Sequence, residues 1–218
     1  MTVAKVVESL RTRIVRGAIA PGSLINSVEL AERCGTSRTP VREALLVLRR
    51  DGLVTLSARR RPRVAEVSVQ AIRDLYALRT ALHVYISEAV VQGAAEVDLR
   101  RLREQAAALV ERFDARQSME EHLRDVEDYL AAEAALAGNV LVLDVLDSLR
   151  WRIAWFRRLG MMSREQLKVL SFDRLRVAEA YLDRDARLAE ALNRSMLKKA
   201  GGFCEQNFVG AAAVGMVD

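Results

Sequence analysis

Two histidines, two cysteines and three prolines are all that this 218-residue sequence holds of those residue types, and each scarcity closes off a class of protein. Cys34 and Cys204 lie far apart in the chain, so no disulfide framework is available. At Cys34 the ordinary reading is a small buried hydrophobe in a short helix, and the alternative is a redox sensor. There is no Gly-rich phosphate loop, no GxSxG, and no Cys-His or Ser-His pairing at family spacing, so the sequence offers no enzyme active site. No apolar run approaches the length of a bilayer crossing and the N-terminus lacks the apolar core of a signal peptide; a cytoplasmic protein without membrane association is expected.

What the chain does hold is apolar mass and unevenly spread charge. Apolar residues make up 51% of it, ample for a real core in one or two domains. Residues 1–66 carry 13 Lys and Arg against 6 Asp and Glu, a net of +7, whereas the remaining 152 carry 21 against 23, a net of −2. A basic excess confined to one end predicts a polyanion-binding part joined to a part with another task.

Within the basic part, SRTPVREALLVLRRDG from Ser37 to Gly52 is a helix with both ends marked. Ser37 can cap it with its hydroxyl, Pro40 is tolerated in the first turn, and Gly52 follows the last periodic residue as a stop. Val41, Ala44, Leu45 and Leu48 form one buried stripe. Arg38, Thr39 and Arg42 lie off that stripe at the positive end of the helix dipole, a surface suited to phosphates and base edges. Upstream, Ser27–Cys34 reads as a short helix capped by Asn26 or Ser27, followed by a tight turn at Gly35 and Thr36, which makes a helix-turn-helix. Downstream, the short β-type runs 53–56 and 63–67 are joined by a basic tip from Ser57 to Pro62, and a hairpin after a recognition helix is a wing. The competing reading is a small basic helical subdomain with no nucleic-acid partner.

The run GAIAPGSLINSVELAERCGTSRTPVREALLVLRRDGLV resembles the DNA-binding domain of GntR-type bacterial transcription regulators, over roughly the first 66 residues. The resemblance implies that Ser37, Arg38, Thr39 and Arg42 touch DNA, as the matching side chains do in FadR-like members. Two positions depart from the family pattern: a family arginine falls on Val28, and a family glycine at the wing tip falls near Arg59. Arg59, Arg60, Arg61 and Arg63 can replace that glycine's close backbone approach to the minor groove with charge.

The chain opens with a helix from about Thr2 to Arg16, and Pro21-Gly22 turns into the helix-turn-helix. No proline follows Pro62, and from Val69 the pattern is helical: Val69–Gly93, Asp98–Asp114, Ser118–Ala137, Val140–Leu159, Ser163–Leu182 and Asp185–Ala200, with breaks at Gly93, Ala115 to Gln117, Gly138-Asn139, Gly160 and Asp183-Arg184. Six helices with short connections predict an antiparallel bundle. The expected fold class is therefore mostly α, with a winged helix-turn-helix domain at 1–66, an all-helical domain at 67–201, and a poorly ordered tail at 202–218 in which Phe203 and Phe208 have a docking role only as the alternative.

The second half is also similar to the effector-sensing and dimerisation domain of the FadR-like branch, through DLYALRTAL, the AxxGN turn at Asn139 and the LDRDA corner at Asp185. That resemblance implies a bundle binding small carboxylates or acyl compounds, in many members through a metal held by one aspartate and three histidines. Here those four positions fall on Val126, Leu130, Arg174 and Met196, and neither His83 nor His122 matches, so neither a metal nor any other cofactor is expected. Asp125, Glu127 and Asp128 read as a solvated acidic face.

Arg79 lies near the inward stripe of its helix, His83 follows four residues later, and Arg174 replaces a ligand position. A buried arginine is costly unless paired, so two near one cavity favour an anionic guest such as a carboxylate; the alternative is that both reach the surface or pair within the bundle. The whole reads as a homodimeric repressor of a palindromic double-stranded operator, controlled by a small anionic effector. The other reading is a DNA-binding protein whose helical half is only a dimerisation scaffold.

Overall fold

Residues with high helix propensity and no proline after Pro62 give a chain that is helical almost throughout. A computed structural model describes residues 2–115, 117–160 and 162–213, and among them nine helices and one two-stranded sheet follow one another. Contact density divides the chain into two units, each contributed by separate stretches. One takes in the described residues of 1–72, 145–161 and 204–218, the other those of 73–144 and 162–203.

In the first unit, α1 (Val3–Val15) buries Val6, Val7, Leu10 and Ile14 at helical spacing and packs against α3 (Arg38–Arg50), which buries Val41, Ala44, Leu45 and Leu48. Between them, α2 (Ser27–Arg33) is capped by Asn26, whose side chain accepts from the Val28 and Glu29 amides. Strands β1 (Val54–Thr55) and β2 (Arg63–Val64) pair antiparallel, Val54 opposite Val64 and Thr55 opposite Arg63. The segment before α2 joins this hairpin, since the Ile25 amide donates to the Pro62 carbonyl and the Val64 amide to that of Ser23. The wing is thereby stitched to the helix-turn-helix rather than hanging from one strand.

Gly52 ends α3 with φ +71°, and a Cβ there would land on the Arg152 guanidinium. The backbone conformation is what calls for glycine, since the guanidinium is the far end of a flexible side chain and can move aside. Beside it, Arg11 donates to the Asp51 carboxylate at 2.6 Å while its guanidinium lies over the Trp151 ring at 4.4 Å. These contacts tie α1, the end of α3 and the C-terminal part of α7 (Val140–Leu159) into one packing group.

In the second unit, α5 (Glu96–Asp114) buries Leu99, Leu102, Ala106, Leu109 and Phe113 and packs against α6 (Met119–Leu136) and α8 (Arg164–Leu182). Ser118 with Glu121, and Ser163 with Gln166, form reciprocal capping boxes at the starts of α6 and α8. Asn139 accepts from the Leu141 and Val142 amides and donates to the Tyr85 hydroxyl, which accounts for the AxxGN turn. At the LDRDA corner Arg184 takes φ +59° and donates to the Val91 and Ala94 carbonyls, closing the end of α4 (Val69–Gly93). Of the expected break at Ala115 to Gln117, Arg116 lies outside the described residues.

The last helix departs from the sequence expectation. Instead of ending at Ala200 before a poorly ordered tail, α9 runs Ala186–Ala213, and Cys204 within it is buried. Gly201 and Gly202 look like a stop in the sequence, but Gly201 sits against the Tyr76 ring, where a Cβ would come within 3.1 Å. Close packing offsets a helix-propensity cost of about 1 kcal/mol per glycine. Phe203 and Phe208 are half-buried on this helix; residues 214–218 lie outside the described part.

Candidate nucleic-acid interface and buried polar cluster

The start of α3 presents its polar side chains together. Ser37, Arg38, Thr39 and Arg42 are all exposed, and Arg38 and Arg42, four residues apart, share one outward face opposite the buried stripe. Ser37 occupies the capping position with extended backbone, but its hydroxyl makes no capping bond. A cap of this kind serves the amides of the second and third helical residues, and the third is Pro40, which has no N–H. The hydroxyl stays exposed beside the positive end of the helix dipole, where it suits a phosphate oxygen.

At the wing, Arg59, Arg60 and Arg61 are exposed, and Arg59 takes φ +60° in a turn closed by the Arg60 amide on the Ser57 carbonyl at 3.2 Å. The left-handed conformation suited to glycine is retained with a non-glycine residue, at roughly 1–2 kcal/mol. Arg63 turns back instead, donating to the Gly22 carbonyl at 3.1 Å, so part of its guanidinium serves the fold.

The second unit holds polar groups in its core. Arg79, His83 and Arg174 are all buried, which sets aside the surface alternative for the two arginines. Arg79 lies over the Tyr76 ring at 5.0 Å, one turn before His83 on α4. His83 and Arg174 meet around a residue that the sequence reading passed over: Glu133 on α6, only 1% exposed. The His83 Nδ1 lies 3.3 Å from Glu133 Oε2, which makes the imidazole that oxygen's neighbour. The Tyr181 hydroxyl donates to Glu133 Oε1 at 2.8 Å and accepts from Asn193 Nδ2 at 2.9 Å. Asn193 also donates to Ser87 Oγ at 3.0 Å, and Ser87 donates to the His83 carbonyl.

Burial pushes the Glu133 carboxyl up, but His83, the Tyr181 hydrogen bond and the Arg174 charge together outweigh it and hold the group below the ordinary carboxylate range. Burial, and after it the neighbouring Glu133 charge, raises the phenols of Tyr129 and Tyr181 well above theirs. The cluster therefore keeps one buried anion beside neutral phenols. Its signal in the sequence was faint but present: Glu133 lies four residues after Tyr129 and seven after Val126, and Ser87 four after His83, each a polar residue on an otherwise buried helical stripe.

Residues 2–64 match the family model described as bacterial regulatory proteins, gntR family. The Nta operon transcriptional regulator of Aminobacter aminovorans is 31% identical over 145 residues, spanning 66% of this chain and 68% of that one. The chain belongs to the GntR family. Another relative, the HTH-type transcriptional repressor RspR of Escherichia coli, is 36% identical over 73 residues, 34% of this chain and 32% of its own length. In fold the chain is similar to the solved structure of E. coli McbR/YncC, with a TM-score of 0.75 at 19% identity, covering 94% of this chain and 98% of that one. As a GntR regulator with an all-helical second half, it fits the FadR-like branch and carries a DNA-binding helix-turn-helix.

Of the positions where many FadR-like GntR proteins hold a metal, Val126, Arg174 and Met196 are buried and Leu130 half-buried. They present alkyl groups, a cation and a thioether, a donor set that does not suit a divalent ion. Elemental analysis of the dialysed protein is expected to find well under one Zn, Ni or Mn per chain, and chelators are expected to leave its melting temperature unchanged. His122 serves the core: it stacks on Phe113 at 4.0 Å and its Nε2 is 3.0 Å from Ser171 Oγ.

Proposed function

We propose that this GntR regulator is a homodimeric repressor of a palindromic operator, released or engaged by a small acidic effector bound in the helical unit. The observation that carries the DNA half is the exposure of Ser37, Arg38, Thr39 and Arg42 on the first turns of α3, next to a wing whose tip shows three exposed arginines. A recognition helix entering the major groove reads only a few base pairs, so two copies are needed and two-fold protein symmetry selects a two-fold site. That RspR is named a repressor supports the sign of regulation. Binding titrations are expected to show one dimer per full operator and at least a hundredfold weaker binding to an isolated half-site; equal affinity for both would overturn the dimeric reading.

The effector half is supported by His83, Glu133 and Arg174 standing buried in one cluster, with Arg79 a turn away on α4. Charged groups kept in a core at a desolvation cost of several kcal/mol each point to a binding task. The scaffold alternative draws on the bonds that the cluster makes within itself, from Tyr181 to Glu133 and from Asn193 to Ser87. Ligand-induced change in operator affinity separates the two.

A further inference from the structure

The outward side of α3 extends past its first turns. At about 100° per residue, the line directly opposite the buried stripe of Val41, Ala44, Leu45 and Leu48 is made by Thr39, Glu43, Leu46 and Arg50, and all four are exposed. Arg38, Arg42 and Arg49 run beside that line on one flank, exposed as well.

Two members of the line are out of keeping with a basic head. Glu43 is paired with no cation among the described residues. Leu46, in the third turn, is apolar and yet 50% exposed. Neither suits a phosphate: the carboxylate would be repelled by it, and the leucine would strip water from it without replacing a hydrogen bond. Base edges in the major groove offer what each can use, an amino hydrogen for a carboxylate and the thymine methyl for an alkyl group. The arginine flank is left to serve phosphates or guanine edges. A single exposed leucine is ordinary on a protein surface; what sets Leu46 apart is its register, two turns beyond Thr39 on the same line.

Resting on the reading above that the first turns of α3 enter the major groove, we infer that Leu46 is a further specificity-determining residue, which meets the 5-methyl group of a thymine in each half-site. From Thr39 to Leu46 the helix advances about 10 Å, and stacked base pairs rise about 3.4 Å each. The thymine therefore stands about three base pairs from the pair that Thr39 faces.

The test selects duplexes with the full chain from two randomised libraries, one made with thymine and one with uracil in its place, and sequences what is bound. Uracil keeps every hydrogen-bonding group of thymine and lacks only the methyl. The parent is expected to enrich one such thymine per half-site, and uracil at that position alone should weaken binding about fourfold per half-site, about 15-fold for the two together, the effect of one buried methyl each. L46A is expected to bind the thymine and uracil duplexes within about twofold of each other while keeping the base preference set by Arg38 and Arg42. Alanine is at least as good a helix former and the position is exposed, so the melting temperature of L46A should match the parent's. Thymine and uracil duplexes bound alike by the parent, with sequence preference otherwise intact, overturn this inference and leave base reading by the first turns standing. A methyl effect that persists undiminished in L46A overturns the assignment to Leu46. No sequence enriched from either library overturns the DNA-reading proposal and this inference together.

Discussion

Arg38→Ala and Arg42→Ala are each expected to weaken operator binding by roughly 1–3 kcal/mol, about 5- to 150-fold, and to relax base preference at one defined position of each half-site. The two side chains share the outward face of α3 and their removal touches nothing buried, so thermal stability should stay within about 0.5 kcal/mol of the parent. The contrast lies in the wing. Arg60→Ala and Arg61→Ala are expected to weaken binding to all sequences alike and to reduce the slope of log affinity against log salt by about one each, as lost phosphate contacts do. Competition titrations over a set of single-base operator variants, repeated at three salt concentrations, resolve both effects; a change of base preference in the wing variants would reverse the assignment of roles.

The largest stability effect is expected in the other unit. Glu133→Ala removes the acceptor of the Tyr181 hydroxyl and the partner of His83 while leaving both side chains buried, a loss of about 3–5 kcal/mol in urea unfolding. Because folding holds the Glu133 carboxyl below its ordinary value, the stabilisation it contributes is fully present above the unfolded carboxylate pKa, near 4.3, and is lost as pH falls through the lower folded value. The difference between the parent and E133A should therefore shrink on acidification below about pH 4. A constant difference from pH 7 to the acid limit would show that Glu133 stabilises by packing and not by charge.

How much of this was legible depended on whether the signal was local. The recognition helix was readable to within a residue or two because Pro40, Gly52 and the stripe of Val41, Ala44, Leu45 and Leu48 all lie within it. Even there, the Ser37 hydroxyl makes no capping bond; Pro40 removes one of the two amides a cap can serve and leaves that of Thr39. The polar cluster was only half legible. Arg79 and His83 drew attention as polar residues near an apolar stripe, but Ser87 and Asn193 are 106 positions apart and become a pair only when α4 meets α9. The end of α9 was illegible for the same reason, since Gly201 is tolerated by virtue of Tyr76, far away in sequence.

The sharing of α7 and α9 between the two units has a consequence for how this molecule comes apart. The first unit holds not only residues 1–72 but also the described residues of 145–161 and 204–218, and with them the buried Trp155, Phe156 and Cys204. The DNA-reading head is therefore not built from residues 1–66 alone. Severed at residue 66, it would lose the Trp151 ring over Arg11 and the Arg152 guanidinium over Gly52. A functional graft of this head onto another sensor must carry substitutes for two helix ends encoded far downstream. The reading head and the helices that complete it are thus interleaved in the gene, and recombination that trades heads between regulators would have to respect both.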